Sequence, residues 1–162
     1  MSIISETAVA LRFYDAKRDK EHLDYSLPEE QRPFTALPYE ALQACEQDRK
    51  RMPITITVAE KSVGFFVLHH GSPIHEYTSS TSAFLLRAFS VDPNFQGRGY
   101  AKQAMLALPV FIRQHFPNFT EVVLAVNFNN KSAKALYEKV GFQVIGMREG
   151  KKGPQDIMRL LL

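Results

Sequence analysis

Cysteine is almost missing from this chain of 162 residues: Cys45 stands alone, so no disulfide can form within it. Long apolar runs are missing too. None approaches the roughly 20 residues that a membrane helix needs. The start, Met1-Ser2-Ile3-Ile4-Ser5-Glu6, lacks the basic flank and apolar core of a signal peptide. These absences point to the cytoplasm and away from membranes. Dense charge blocks are also absent. Lys17-Arg18-x-Lys20 and Arg49-Lys50-Arg51 are short solvated patches, which argues against nucleic acid as a partner. No Cys-His pairing or metal-ligand spacing occurs, so no metal is expected. Neither a repeat nor a linker divides the chain. A single domain over residues 1–162 is expected, as a monomer or homodimer.

Hydrophobic residues make up 45% and charged residues 23%, enough for a sizeable core. The net charge is +3, a mild excess that suits a polyanionic ligand. One stretch organises the rest. Residues 84–91 read as an apolar strand, Asp92-Pro93-Asn94 breaks it, and Gly97-Arg98-Gly99 turns into a helix. Glycine lets the backbone turn tightly and bring its N–H groups close to a ligand. The first amides of a helix lack partners inside it and attract anions. The segment is therefore a phosphate-binding device. It is not a Walker A loop, because no Gly-x-x-x-x-Gly-Lys-Ser/Thr run exists. Lys102 stands where a dinucleotide fingerprint needs its third glycine.

The remaining pattern predicts an α/β protein. Strands are expected at 9–13, 54–59, 63–70, 121–126, 142–147 and 156–162, besides the organising strand. Helices are expected at 17–24, 38–48, 99–116 and 130–140. Glu60-Lys61-Ser62 should close a hairpin, and 148–154 should form a basic loop. Residues 71–82, rich in Ser, Thr, Gly and Pro, read as an exposed loop. Hairpins mixed with helices imply a mixed, mostly antiparallel sheet of six to seven strands with about four helices.

Gln96-x-x-Gly99-x-Ala101 resembles the Gln/Arg-x-x-Gly-x-Gly/Ala signature of the GNAT superfamily of N-acetyltransferases. Asn130-x-x-Ala133-x-x-Leu136-Tyr137-Glu138-Lys139-x-Gly141-Phe142 resembles the second signature of the same superfamily. The resemblance covers residues 54–162 well and the N-terminal third loosely. It implies two parallel strands, 84–91 and 122–127, that splay apart around acetyl-CoA. Backbone groups at Phe89, Ser90 and Val91 would bond the pantetheine. Amides of Gln96, Gly97, Arg98, Gly99, Tyr100 and Ala101 would hold the pyrophosphate. Asn130 and Ala133 would contribute from the other wall, and Tyr137 would sit by the sulfur.

Acetyl transfer to an amine requires a neutral amine, a donor for the oxyanion and a proton for the leaving thiolate. Tyr137 can supply the proton, since a phenol of pKa about 10 is protonated at pH 7. The base is less legible. The organising strand carries Arg87 and Ser90 but no acid, which leaves His69, His70, His75 and Glu76 as candidates acting through water. For the acceptor, a primary amine of a small molecule, a small amine or an amino acid, is the first expectation. Glu29-Glu30-Gln31-x-x-Phe34-Thr35-Ala36 loosely resembles polyamine acetyltransferases, and peptide or protein amines are a further alternative. A non-catalytic acyl-CoA-binding module would keep the glycine turn but would not need Tyr137.

Overall fold

Residues 63–68 are apolar throughout because the strand that holds them is covered on both faces. The computed structural model describes residues 8–162, so the N-terminal stretch from Met1 to Glu6 lies outside the described residues. In chain order the elements are β1 (Val9–Phe13), α1 (Ala16–Asp19), α2 (Pro38–Gln47), β2 (Arg51–Val58), β3 (Lys61–His69), β4 (Ala83–Val91), α3 (Tyr100–His115), β5 (Glu121–Asn127), α4 (Lys131–Lys139), β6 (Gln143–Gly150) and β7 (Gly153–Leu161). The strands form one seven-stranded sheet in the order β1-β2-β3-β4-β5-β7-β6. Every pairing is antiparallel except β4 with β5.

Alternation along β3 sorts its side chains between two layers. Phe66 and Leu68 join the main core with Phe84, Met105, Leu108 and Ile112, beneath α3. Phe65 and Val67 point the other way, to a smaller core with Leu23 and Ala41. α3 forms because its apolar positions recur at helical spacing. Ala104, Met105, Leu108, Phe111 and Ile112 are buried, and Pro109 is accommodated inside it. Among the described residues no helix is long and apolar enough to cross a membrane.

Several boundaries differ from the sequence expectation. The first helix ends at Asp19, because that side chain folds inward and anchors the turn instead. Asp19 is fully buried and accepts hydrogen bonds from Arg12, Ser62, Thr55 and the Asp15 N–H. Burial alone would raise its carboxyl, but these donors hold it below the ordinary aspartate value. The β2–β3 hairpin turns at Ala59-Glu60, both at positive φ, as a two-residue primed turn requires. The expected basic loop 148–154 is mostly strand. β6 and β7 pair from Arg148↔Gln155 to Gly150↔Gly153, leaving only Lys151 and Lys152 at the turn. Residues 71–82 are better tied than their composition suggests. Ile74 is buried, and Ser80 and Ser82 bond within the loop.

Candidate active site

β4 and β5 run in register for only three pairs, Ala83↔Glu121, Phe84↔Val122 and Leu85↔Val123. Beyond Leu85 they splay. β3 backs β4 and β7 backs β5, so the inner edges of both strands lose their backbone partners. A cavity of about 610 Å³ opens there, lined by residues 86–91 on one side and 124–127 on the other. β4 also carries a bulge. Its register on β3 slips between Phe65↔Ser90 and Val67↔Arg87, so Ala88 and Phe89 together oppose Phe66. Ala88 takes φ +52, an uncommon conformation for a residue with a side chain. A bulge re-aims the backbone locally, here at the floor of the cavity.

The end of β4 lies close against β3. A Cβ on Gly64 would stand 2.5 Å from the Ser90 carbonyl oxygen, so only glycine admits this approach. After β4 a short 3₁₀ turn, Pro93–Phe95, leads to the glycine turn. Gly97 and Gly99 have φ +78 and +81. A Cβ on Gly97 would meet nothing within 4 Å, and one on Gly99 only the Gln103 amide at 4.0 Å. The turn therefore faces open space. Gly99 begins α3 without a side-chain cap, so the first helical amides are left for an anion.

The other wall is α4. Asn130 caps it, its Oδ1 accepting from the Ala133 N–H at 3.4 Å. Lys134 pairs with buried Asp156 at 2.9 Å. Tyr137 lines the cavity between Phe89 and Phe142, with ring centroids 6.5 and 5.5 Å away. Burial raises its phenol well above the ordinary value, and no charge or hydrogen bond offsets the rise.

The residues expected from the sequence are distributed unequally. Phe89, Ser90, Val91, Gln96, Ala101, Asn130, Ala133 and Tyr137 all line the cavity. Gly97, Arg98 and Gly99 stand outside it on the exposed turn. Tyr100 has its side chain in the core, so only its N–H is available to a ligand. The Ala133 N–H is already taken by Asn130. Arg98 folds back over Phe95, with its guanidinium carbon 5.5 Å from the ring centre. Gln96 turns inward and donates to the Val91 carbonyl at 2.9 Å.

None of the four base candidates lines the cavity. His69 is buried, between Asp48 and Arg87. His70 packs edge-on against Phe84 and Phe119. His75 is exposed, and Glu76 pairs with Arg148 at 3.4 Å. Cys45 is half-buried on α2, and burial pushes its thiol up to about 11, which leaves it unreactive. Among the described residues no cluster of His, Cys, Asp or Glu could hold a metal.

Tyr25 and Gln31 are site residues that sequence reasoning missed. The Tyr25 hydroxyl donates to the Ser90 carbonyl at 3.1 Å and lies 2.7 Å from the Ser90 hydroxyl. Gln31 and Gln96 exchange two amide hydrogen bonds, at 3.2 and 3.1 Å. The N-terminal third thus braces the strand end and the turn across 65 residues of chain. Such a separation leaves no local periodicity. The nearest signal in the sequence is the Glu29-Glu30-Gln31 segment, whose pattern points only to the acceptor.

This geometry agrees with comparisons to known proteins. The model of the acetyltransferase (GNAT) family matches residues 15–142. An uncharacterized N-acetyltransferase, YbbJ of Bacillus subtilis (strain 168), is 37% identical over 156 residues, covering 95% of this chain and 98% of its own. Solved structures share the fold at low identity. An aminoglycoside acetyltransferase in complex with coenzyme A superposes with TM-score 0.76 at 16% identity, covering 95% of both chains. A spermidine N-acetyltransferase chimera involving Vibrio cholerae gives TM-score 0.67 at 20% identity, covering 96% of each. The splayed strands, the glycine turn and the tyrosine helix thus occur in a chain that belongs to the acetyltransferase (GNAT) family, acyltransferases that draw their acetyl group from acetyl-CoA.

Proposed function

We propose that the protein transfers the acetyl group of acetyl-CoA to a primary amine of a small molecule by direct attack in a ternary complex. The observation that carries this is the cavity between β4 and β5. It joins unpartnered strand edges, the entrance to the glycine turn and Tyr137 in one space. The pantetheine lies along the edge of β4 at Phe89, Ser90 and Val91, taking the place of an added strand. The pyrophosphate rests on amides of residues 97–101, while Gln96 secures the turn from behind. Asn130 shapes the opposite wall, and Ala133 leaves room by its small side chain. The single half-buried thiol suits a reducing compartment, and we assign the protein to the cytoplasm.

The neutral amine attacks the thioester carbon, a C–N bond forms, and the oxygen becomes an oxyanion. Amides re-aimed by the bulge at Ala88-Phe89 stabilise it. The C–S bond then breaks, the electron pair leaves with sulfur, and the amine's extra proton passes to water. Tyr137 acts at the sulfur. Its phenol stands above the roughly 8.5 of a thiol, so complete proton transfer is uphill. Its part is a hydrogen bond to the departing thiolate, given from a partly buried position where that bond is stronger than in water.

Thiol release from acetyl-CoA over a panel of amines tests the reaction, and thermal denaturation tests binding. Acetyl-CoA at about 100 times its dissociation constant should stabilise the fold by about 2.7 kcal/mol. A melting temperature unmoved by millimolar acetyl-CoA would sink the proposal.

A further inference from the structure

A second cavity, of about 260 Å³, adjoins the cofactor cavity. The two share Phe34, Thr35, Leu86, Arg87, Ala88 and Ala125. Its size falls just below the usual range for ligand pockets, about 300–1,000 Å³, which favours a small acceptor. Two polar groups at the junction are incompletely satisfied. The Thr35 hydroxyl oxygen is buried and makes no hydrogen bond. Arg87 is half-buried, and among the described residues no carboxylate stands within ion-pair distance of it. Burial lowers its pKa and Arg51 pushes the same way, while Glu76 acts against them only from beyond ion-pair distance. Arg51 and Arg148 are also cations, and they are paired with Asp48 and Glu76. Glu40 and Glu30 line the two cavities but are exposed to water.

Arg87 is also held from behind. Its guanidinium donates to His69 Nδ1 at 3.2 Å, and His69 Nε2 lies 3.1 Å from Asp48 Oδ2. A neutral ring with its proton on Nε2 satisfies both bonds. Burial lowers the His69 pKa and keeps the ring in that form. The relay Asp48–His69–Arg87 uses one guanidinium nitrogen and leaves the rest for a ligand. A half-buried cation without an anion is costly, and a buried hydroxyl without a partner calls for an explanation. One ligand group answers both.

Building on the acetyltransferase reading above, we propose that the acceptor carries a carboxylate beside its amine, bound by Arg87 and the Thr35 hydroxyl. Guanidinium matches carboxylate in a forked, charge-assisted contact. Arg87 stands two residues before Phe89, where the thioester carbonyl is placed, so amine and carboxylate lie few bonds apart. The acceptor class is an amino acid or a close analogue. A polycation would set its charge against Arg87.

The test compares matched acceptors with acetyl-CoA: alanine, methionine and glutamate, their carboxamides, and spermidine. A charge-assisted contact predicts that the carboxylates exceed their amides about 10- to 100-fold in kcat/KM. Arg87→Gln should shrink that ratio to within about threefold, mainly through KM. Thr35→Val, close in shape, should lower kcat/KM for carboxylates severalfold and for the amides by less. Each variant is checked for folding by its melting curve. Amides or spermidine turned over as well as the acids would overturn the inference. So would discrimination that survives in both variants. If acetyl-CoA shifts the melting temperature but no carboxylate is acetylated, this inference fails alone. If acetyl-CoA gives no shift, the acetyltransferase reading falls with it.

Discussion

α3 and α4 begin on opposite lips of the same cleft, yet they are anchored differently. α3 buries Tyr100, Ala104, Met105, Leu108, Phe111 and Ile112 in the main core. Each of the larger side chains contributes roughly 1.5–3 kcal/mol. α4 buries no residue completely. It is held by the Asn130 cap, the Lys134–Asp156 pair and the partial packing of Ala133, Tyr137 and Val140 on the core. The glycine turn thus sits on a rigid support and is ready before any ligand arrives. On the reading proposed above, phosphate recognition needs several amides fixed together, whereas Tyr137 would deliver one hydrogen bond and would tolerate a looser mount.

The largest expected effect comes from the looser wall. Tyr137→Phe keeps the ring that packs on Phe89 and Phe142 but removes the hydroxyl. Acid catalysis as a class is worth about 10²–10⁴-fold. The raised phenol moves the expectation to the lower end, a loss of about 10²-fold in kcat with acetyl-CoA affinity nearly unchanged. Any decline in rate from losing this proton should begin above pH 10 and vanish in the variant. Wild-type turnover at every pH would leave α4 with only a packing role.

Gly99→Val attacks the rigid wall. A valine at φ +81 is strained by about 1–2 kcal/mol, and its side chain projects where the structure has open space. The melting temperature should fall a few degrees, while acetyl-CoA affinity falls about tenfold or more by calorimetry. Unchanged affinity would reduce the turn to a connection.

Hydrogen exchange measures the contrast itself. Amides of 131–139 should exchange at least about tenfold faster than those of 104–112, and acetyl-CoA should narrow the gap. Equal protection without ligand would refute the difference in anchoring.

The smallest effect concerns the relay behind Arg87. Burial first, then Arg51 and Arg87, hold His69 below its ordinary 6.5, against the pull of Asp48. The unfolded chain therefore takes the proton before the folded one does. Stability is present above about pH 6.5 and is lost as pH falls below it, by at most about 1.4 kcal/mol per unit. Denaturant titrations from pH 8 to pH 5 should show this slope in the wild type and a shallower one in His69→Asn.

The sequence displayed the two walls and hid the brace between them. The glycine turn and the tyrosine helix are local, each written within 13 consecutive residues or fewer, and they fold by short-range rules of turns, caps and apolar spacing. Tyr25 and Gln31 were invisible because their partners, Ser90 and Gln96, lie far along the chain. His69 shows the same limit. Its type suggested a base, but β3 alternation turns the ring toward Asp48 and Arg87 and away from the cavity.

By itself, then, the sequence determined the α/β class, the strand and helix order and the places of the glycine turn and the tyrosine helix, because periodicity and motif are local properties. Tertiary structure alone decided which strand edges stay unpaired, which way Gln96 and His69 face, and that, among the described residues, Arg87 with no carboxylate in ion-pair distance and the unbonded Thr35 hydroxyl both fall where two cavities adjoin. Those outcomes depend on where the sheet splays and which segments close over it, and no single stretch of chain encodes that.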